Sequence, residues 1–262
     1  MKQCRIPTPR YDLSAVELAP LEAQLAHRTA ERLTDPVVGA VWIRNDDPCA
    51  NVIRTLEGRY FPEAQEVTMA DEEQSMFLAL MDGREEGFRL VQGATMCGVK
   101  RAFDGGPSVS LARSEGSTGF ICVDQLIELG NFSREDFVDY YGSQGVDLDT
   151  CVSVETHVSA RKRVPPWNGL SMSGVFYVCV FGALKASGGT VDRSLVIASI
   201  NRLETRSFER VGLRFEPLMG RTDLEVPEAL VGRSSLPVVI HYDDFLVGLA
   251  ASMEFPLHRC ML

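Results

Sequence analysis

Hydrophobic and polar residues alternate along the segment 151–158, near the middle of the chain. The alternation and the β-branched residues within it predict a strand. A polar loop with two prolines follows, and the apolar segment beyond it predicts a helix that ends near Lys185. Asn168 and Ser171 are both residue types that cap helix N-termini, and either is suited to begin this helix. The pattern then predicts a buried strand at 194–200, a short helix at 202–211 and a strand at 213–218.

The segments on either side of this central unit also carry strand and helix patterns. They predict a helix at 13–33 interrupted by Pro20, a strand at 37–43, a helix at 51–61, a hairpin of strands at 74–81 and 88–96, a short helix at 124–128, a helix capped by Ser133, a strand at 236–242 and a helix at 245–253. We therefore expect an α/β protein, with an N-terminal helical extension at residues 1–36 and one larger domain at residues 37–262.

The composition is typical of a globular protein with a sizeable core. The 262 residues are 45% hydrophobic and 24% charged. No apolar run reaches the ~18 residues that a membrane-spanning helix needs, so we predict no membrane span. The N-terminus lacks the apolar centre of a signal peptide. The seven cysteines form no C-x-x-C pair, and this scattered, odd number predicts reduced thiols and a cytoplasmic location.

The net charge of −10 argues against a nucleic-acid-binding protein, which would normally carry a basic face. A local basic run at 161–163 is either a solvated surface or a phosphate-handling site. The four histidines are not spaced as metal ligands, so we predict no metal site. The chain also lacks a G-x-S-x-G elbow, a P-loop and a dinucleotide fingerprint. We expect no permanently bound cofactor.

Two sets of residues resemble a known family when they are read with the order of the elements. Asn201, Phe208 and Gly212 resemble the late signature of the GNAT-type N-acetyltransferase fold. Asp71, Ser75-Met-Phe77-Leu78 and Asp82 resemble an early strand of two branches of it, the acyl-homoserine-lactone synthases and the long-chain N-acyl amino acid synthases. The resemblance covers roughly Val41 to Ile240. It implies a GNAT-like fold, with a mixed, mostly antiparallel sheet flanked by helices.

The resemblance also implies an activity. We expect an N-acyltransferase that moves an acyl group from a carrier thioester to the amine of a small, amino-acid-like acceptor, as in the synthesis of N-acyl amino acids or lactone autoinducers. Acyl-CoA and acyl-carrier protein are the alternative donors, and both are co-substrates. The family's Gly-rich phosphate loop is missing, which favours the carrier protein. Two other functions stay open: a degenerate GNAT-like domain that binds a ligand or partner without turnover, and an ordinary acetyl-CoA-dependent acetyltransferase.

The family's binding residues can be carried over by position. Pantetheine or the carrier would contact the central strand and the elements after it, at Val158, Arg161, Arg163, Asn168, Gly169, Ser171, Asn201 and Phe208. Phe208 stands where many acetyltransferases have a tyrosine that protonates the leaving thiolate. The acceptor substrate would contact the first core helix and the strand after it, at Arg54, Arg59, Tyr60, Ser75 and Phe77. Ile53, Leu56 and Tyr60 predict the apolar face of that helix, and both arginines are expected off it.

Glu155 and His157 are the predicted catalytic residues. Glu155 lies in the central strand, where the lactone-synthase branch has a glutamate, and would take or orient the proton of the attacking amine. Residues two apart on a regular strand point to the same side, so His157 would relay that proton. The alternatives are a paired carboxylate for Glu155 and a hydrogen-bonded core residue for His157.

Overall fold

A computed structural model describes residues 17–33, 37–44, 46–60, 75–97, 118–167, 169–186, 192–200, 209, 212–226, 235–243, 248 and 260–261. The helices are α1 (Leu18–Ala30), α2 (Ala50–Tyr60), α3 (Ile121–Glu128), α4 (Arg134–Ser143) and α5 (Met172–Ala186). The strands are β1 (Val38–Arg44), β2 (Ser75–Asp82), β3 (Arg89–Cys97), β4 (Val152–Ser159), β5 (Leu195–Ile200), β6 (Phe215–Pro217), β7 (Leu236–His241) and β8 (Cys260–Met261). No helix in these ranges has the length and apolar character to cross a bilayer.

The strands form one sheet in the order β6-β7-β5-β4-β3-β2-β1-β8. Strands β1 to β4 pair antiparallel in sequence order. β4 then pairs parallel with β5, and β7 inserts between β5 and β6 with antiparallel pairing on both sides. The parallel β4–β5 pair needs a crossover, which α5 supplies. The fold is therefore the predicted GNAT-like α/β class, with a mixed, mostly antiparallel sheet flanked by helices.

The two faces of the sheet are covered differently. On one face α5 packs along β1 to β5 and β7 in one continuous hydrophobic cluster, centred on Phe176 and Phe181. On the other face α1 and α2 cover β1 to β3, around Ile53 and Phe77. A separate cluster, with Phe137 at its centre, joins α3 and α4 to β5 and β7. β4 contributes side chains to the first two clusters, and Cys151, the residue before this strand, belongs to the third. The boundary between the two clusters of the second face therefore lies at β4.

β4 parts from β5 halfway along its length. The parallel pairing joins Val152–Val154 to Val196–Ala198 and extends no further among the described residues. On its other edge β4 stays paired with β3 to Ser159, but the register shifts at a β-bulge, where Glu155 is the additional residue. We call the space between the second half of β4 and the end of β5 the gap.

Local sequence explains several element boundaries. Ser171 caps α5, because its hydroxyl accepts the Gly174 N–H at 3.2 Å, and this was one of the two predicted caps. Ser133 forms the predicted capping box at the start of α4. Trp167 and Leu170 exchange backbone hydrogen bonds around a tight turn, in which Gly169 has a φ of +83°.

Other predicted elements are shorter or fall elsewhere. The helix predicted at 13–33 begins at Leu18, which places Pro20 in its first turn, where proline is tolerated. The strand predicted at 213–218 shortens to Phe215–Pro217. The predicted helices at 202–211 and 245–253 lie outside the described residues, apart from the helical residues 209 and 248. The division into a 1–36 extension and a 37–262 domain stays a prediction.

Gly93 on β3 generates a prediction of stability. A Cβ at this position would lie 2.4 Å from Ile53 Cδ1, in the fully buried contact between α2 and the sheet. We expect Gly93→Ala to lower the free energy of unfolding by about 1–2 kcal/mol, because Ile53 must shift in a close-packed core. Denaturant unfolding measures this. Gly142→Ala in α4, where nothing lies within 4 Å of the new Cβ, is the control and should be neutral or slightly stabilising. Equal effects of the two substitutions would contradict the packing argument.

Candidate active site

The edge of β4 that faces the gap presents backbone hydrogen-bonding groups. Ala160 donates its N–H to the Val91 carbonyl on β3. Successive residues of a strand direct their N–H and C=O groups to opposite edges. The backbone groups of Val158 therefore also point to β3, whereas those of His157 and Ser159 point away from it. The Ser159 carbonyl accepts the Tyr60 hydroxyl at 2.7 Å. His157 therefore presents an N–H donor and a C=O acceptor toward the gap.

Glu155 lies where the two strands part, and its carboxylate binds the start of α3. Its Oε1 accepts the Ile121 N–H at 3.0 Å and its Oε2 accepts the Cys122 N–H at 3.1 Å. The Ser153 hydroxyl also donates to Oε1. The first N–H groups of a helix have no partner within the helix, and the N-cap residue Phe120 provides no side-chain acceptor. Glu155 thus supplies the missing cap from a neighbouring strand.

The environment of Glu155 changes its proton affinity. Burial raises its pKa to about 7, with a further increase from the nearby Asp124 carboxylate. The Ser153 hydroxyl and the two helix N–H groups act in the opposite direction. Near neutral pH the side chain is therefore present in both protonation states, which is the property a general acid or base needs.

His157 does not lie beside Glu155, so the prediction that they point to the same side is wrong. The His157 ring stacks on Phe176 of α5, with 4.3 Å between ring centroids, whereas Glu155 bonds to α3 on the opposite face. The reason is the bulge, which breaks the alternation of side chains on β4. Burial lowers the pKa of His157 to about 4, so it is neutral at physiological pH. A direct relay of a proton from Glu155 to His157 is not supported.

A second buried carboxylate, which the sequence reasoning missed, contacts β4 from α2. Glu57 is 7% exposed. Its Oε1 accepts the Thr95 hydroxyl at 2.6 Å and also the Thr156 hydroxyl. The available signal was a glutamate four residues after Ile53, on the apolar face of α2. Together with Ser153 and Glu155, these groups form a polar seam between the two hydrophobic clusters of this face.

The structure separates the predicted acceptor-binding residues. Arg54 is only 5% exposed, contrary to its predicted place off the apolar face. Its guanidinium lies 4.8 Å from the centre of the Phe77 ring and bonds to Asn51, so cation–π contact makes burial tolerable. Tyr60, predicted on the apolar face, is 45% exposed. Its hydroxyl bond to Ser159 brings the end of α2 to the end of β4.

The residues carried over for the carrier are only partly described. Val158 is buried between β3 and α2, and Arg161, Arg163, Gly169 and Ser171 are exposed. Arg161 donates to the Leu90 carbonyl at 3.2 Å. Asn168, Asn201 and Phe208 lie outside the described residues, as does the side chain of Ser75 at the start of β2. Across the residues that are described, no three His, Cys, Asp or Glu side chains form a possible metal site.

These features define a GNAT-like α/β protein with a parted parallel strand pair and a carboxylate at the point of parting. No family model and no curated protein matches the chain. The solved structures similar to it include two of a CoA-dependent acyl-homoserine lactone synthase, BjaI. One contains SAM and isopentyl-CoA, with a TM-score of 0.47. The other contains MTA, with a TM-score of 0.46. Each is 13% identical, with 84% of this chain and 90% of the other covered.

The raised pKa of Glu155 generates a prediction of pH-dependent stability. Between its usual value of 4.5 and about 7, the folded protein holds a proton that the unfolded chain releases. The contribution of Glu155 to the free energy of unfolding is therefore complete at the acidic end of this window and falls as the pH rises, by about 3 kcal/mol in total. Glu155→Gln should remove this slope. Denaturant unfolding at several pH values between 4.5 and 7.5 measures it.

Asp136→Asn is the matched control, because Asp136 also binds a helix start but is fully exposed. Its bonds to Ser133 hold the pKa of Asp136 below the usual 3.8. Its contribution to the free energy of unfolding is therefore lost only as the pH falls below 3.8. This variant should keep the parent's slope between pH 4.5 and 7.5. If Glu155→Gln keeps that slope as well, the carboxylate of Glu155 titrates normally and the assignment is wrong.

Proposed function

We propose that this protein is an N-acyltransferase, which moves an acyl group from a carrier thioester to the amine of a small, amino-acid-like acceptor. The observation that carries the proposal is the parting of β4 from β5 after Val154 and Ala198. The resemblance to the GNAT fold implies that such a gap binds the pantetheine arm, because the edge of the central strand offers its N–H and C=O groups to the pantetheine amides. The N–H and C=O of His157 have this polarity, whereas the Ser159 carbonyl already accepts the Tyr60 hydroxyl.

The same edge supplies the electrostatic part of the reaction. A thioester carbonyl that lies beside the His157 N–H becomes polarised, and the N–H stabilises the negative charge that develops on its oxygen. The amine nitrogen forms a bond to the carbonyl carbon, and the carbon–sulfur bond breaks. The electron pair of that bond leaves with the thiolate.

Glu155 is the proposed base. It lies at the point where the gap begins, and a pKa near 7 suits a group that must accept a proton at neutral pH. In its ionised form it takes the proton that the amine loses on attack. That proton then passes to the thiolate or to solvent, which restores the carboxylate. Glu57, whose Oε1 accepts the Thr156 hydroxyl next along β4, holds this part of the strand in place.

The end of α2 is the proposed acceptor side. Tyr60 and Arg59 are exposed there, and the Tyr60 hydroxyl reaches the Ser159 carbonyl on β4. The buried contacts of Arg54 with Phe77 and Asn51 favour a packing role for Arg54 instead. Arg59 is therefore the stronger candidate for a carboxylate on an amino-acid-like acceptor.

One observation favours the second candidate function, a domain that binds an acyl thioester without turnover. The Glu155 carboxylate already accepts three hydrogen bonds, two of them from the start of α3. A carboxylate in this position stabilises the fold whether or not it performs chemistry. The two functions differ in whether an amide product forms.

The first test is the product. Mass spectrometry of lipid extracts from expressing cells should find new N-acyl amino acids or lactones with the parent protein and not with Glu155→Gln. With purified protein, Glu155→Gln should lower kcat by about 10²–10⁴-fold, the usual loss of a general base, and raised pH should restore part of the rate because more of the amine is then unprotonated.

Asp136→Asn is again the control, since it alters a carboxylate at the start of α4, away from the gap. It should turn over within about twofold of the parent, far inside the expected loss. The base assignment fails if a folded Glu155→Gln variant does the same. A parent protein that binds acyl thioesters but forms no amide supports the binding function instead.

The second test concerns the donor. Because the sequence lacks the family's Gly-rich loop and has a turn between Trp167 and Leu170 in this part of the chain, we expect acyl-carrier protein to give a higher kcat/KM than the matching acyl-CoA. Carrier proteins are acidic, so reversing the exposed charges of Arg161, Lys162 and Arg163 should raise KM for the carrier. The difference in KM between the charge-reversed and parent proteins should shrink at high salt. Equal kcat/KM for the two donors would contradict the expectation. Reversal of the charge of the exposed Arg134 on α4 is the matched control for the KM measurement.

A further inference from the structure

Two buried polar atoms on the α5 face of the gap have no hydrogen-bond partner among the described residues. They are Gln92 Oε1 and His157 Nε2. Gln92 is only 5% exposed. Buried polar atoms in folded proteins are almost always hydrogen-bonded, because burial without a partner costs free energy. Two such atoms therefore require an explanation.

The two side chains are neighbours. His157 pairs with Ala94 across β3 and β4, and Gln92 lies two residues before Ala94, on the same face of β3. Both also contact the first turns of α5. Gln92 Nε2 donates to the Ser173 hydroxyl at 3.2 Å, and His157 stacks on Phe176, which follows Ser173 by about one turn. These contacts place both unpaired atoms beneath the start of α5.

The same face of the sheet carries a hydrophobic cluster. Val154, Val175 and Tyr177 belong to it, and the Tyr177 ring lies edge-on to His157 with 6.3 Å between ring centroids. Binding sites for small molecules have this character, with apolar walls and a few polar atoms that determine orientation. Since His157 is neutral at physiological pH, these two side chains favour a neutral group over a charged one.

We propose that Gln92 and His157 form a subsite for a hydroxyl group on the acyl chain of the thioester. A hydroxyl can donate to Gln92 Oε1 and accept from His157 Nε2, so it satisfies both atoms at once. The backbone of His157 faces the gap while its side chain lies under α5, so the subsite adjoins the position proposed for the thioester. The other parts of the thioester do not need this subsite, since the proposed partners of the pantetheine amides are strand edges and a plain hydrocarbon chain needs only apolar walls. This inference rests on the proposed function and adds the class of acyl group.

The test is a binding measurement without turnover. The probes are S-hexanoyl-pantetheine and its 2-, 3- and 4-hydroxy derivatives, because the pantetheine arm is common to CoA and carrier protein. Isothermal titration with no acceptor present should show one hydroxy derivative binding about 10–100-fold more tightly than the plain hexanoyl compound. If the parent protein binds all four compounds within about twofold, the inference is wrong and the proposed function stands. If the folded protein binds none of them, both fail.

Substitutions of Gln92 and His157 test whether these side chains cause the preference for the hydroxy compound. His157→Phe keeps a ring to stack on Phe176, and Gln92→Met keeps the length of the side chain. Each should reduce the preference for the hydroxy compound by about tenfold, measured as the ratio of the affinities of the same variant for the hydroxy and plain compounds. Tyr141→Phe is the control, because it removes a buried hydroxyl that accepts the Met219 N–H at 2.9 Å on the other face. This control should keep the preference even if it melts at a lower temperature.

The alternative is that Gln92 and His157 bond directly to each other and have a purely structural role. It would appear as energetic coupling of the two substitutions in ligand-free unfolding, together with an unchanged preference in both variants. That result overturns the inference. The parent's own preference can be measured without any variant, so a variant that fails to fold leaves the inference testable.

Discussion

The pairing of β4 with β5 stops after three residues, and the rest of the candidate site depends on this limit. Continued pairing would join the groups on this edge of β4 to the neighbouring strand. Instead the His157 N–H and C=O face a gap. Strand edges that lack a neighbour are normally satisfied by another chain segment, water or a ligand. The bulge at Glu155 begins at the same point, because the additional residue bends β4 while its pairing with β3 continues.

The bulge also distributes polar groups between the two faces of the sheet. Glu155 and Thr156 both lie on the face of α2 and α3, whereas His157 lies on the α5 face. One face thus receives carboxylates, which are bound by backbone N–H groups and hydroxyls. The other receives a neutral imidazole and the Gln92 amide within an apolar cluster. In the proposed function the first face carries out the proton transfer and the second recognises the acyl chain.

Glu155 connects the stability of the fold with the proposed chemistry. Its carboxylate caps α3, which brings the start of that helix against β4. Burial of the same carboxylate raises its pKa to about 7, whereas the hydrogen bonds that hold the helix act in the opposite direction. The position of α3 and the protonation of Glu155 are consequently linked.

The sequence alone determined the elements whose signals are local. The periodicity located α2, α5 and strands β1 to β5 to within a few residues, and Ser133 and Ser171 marked helix starts, because caps and periodicity depend on neighbouring residues. Only the tertiary structure decided the bulge at Glu155, since its register depends on pairing with β3, whose Thr95 lies 61 residues before Thr156. The same holds for buried Arg54, Glu57 and Gln92. Arg54 is buried against the Phe77 ring, Glu57 against the hydroxyls of Thr95 and Thr156, and Gln92 against α5. No local pattern of hydrophobic residues encodes these contacts, because their partners come from distant parts of the chain.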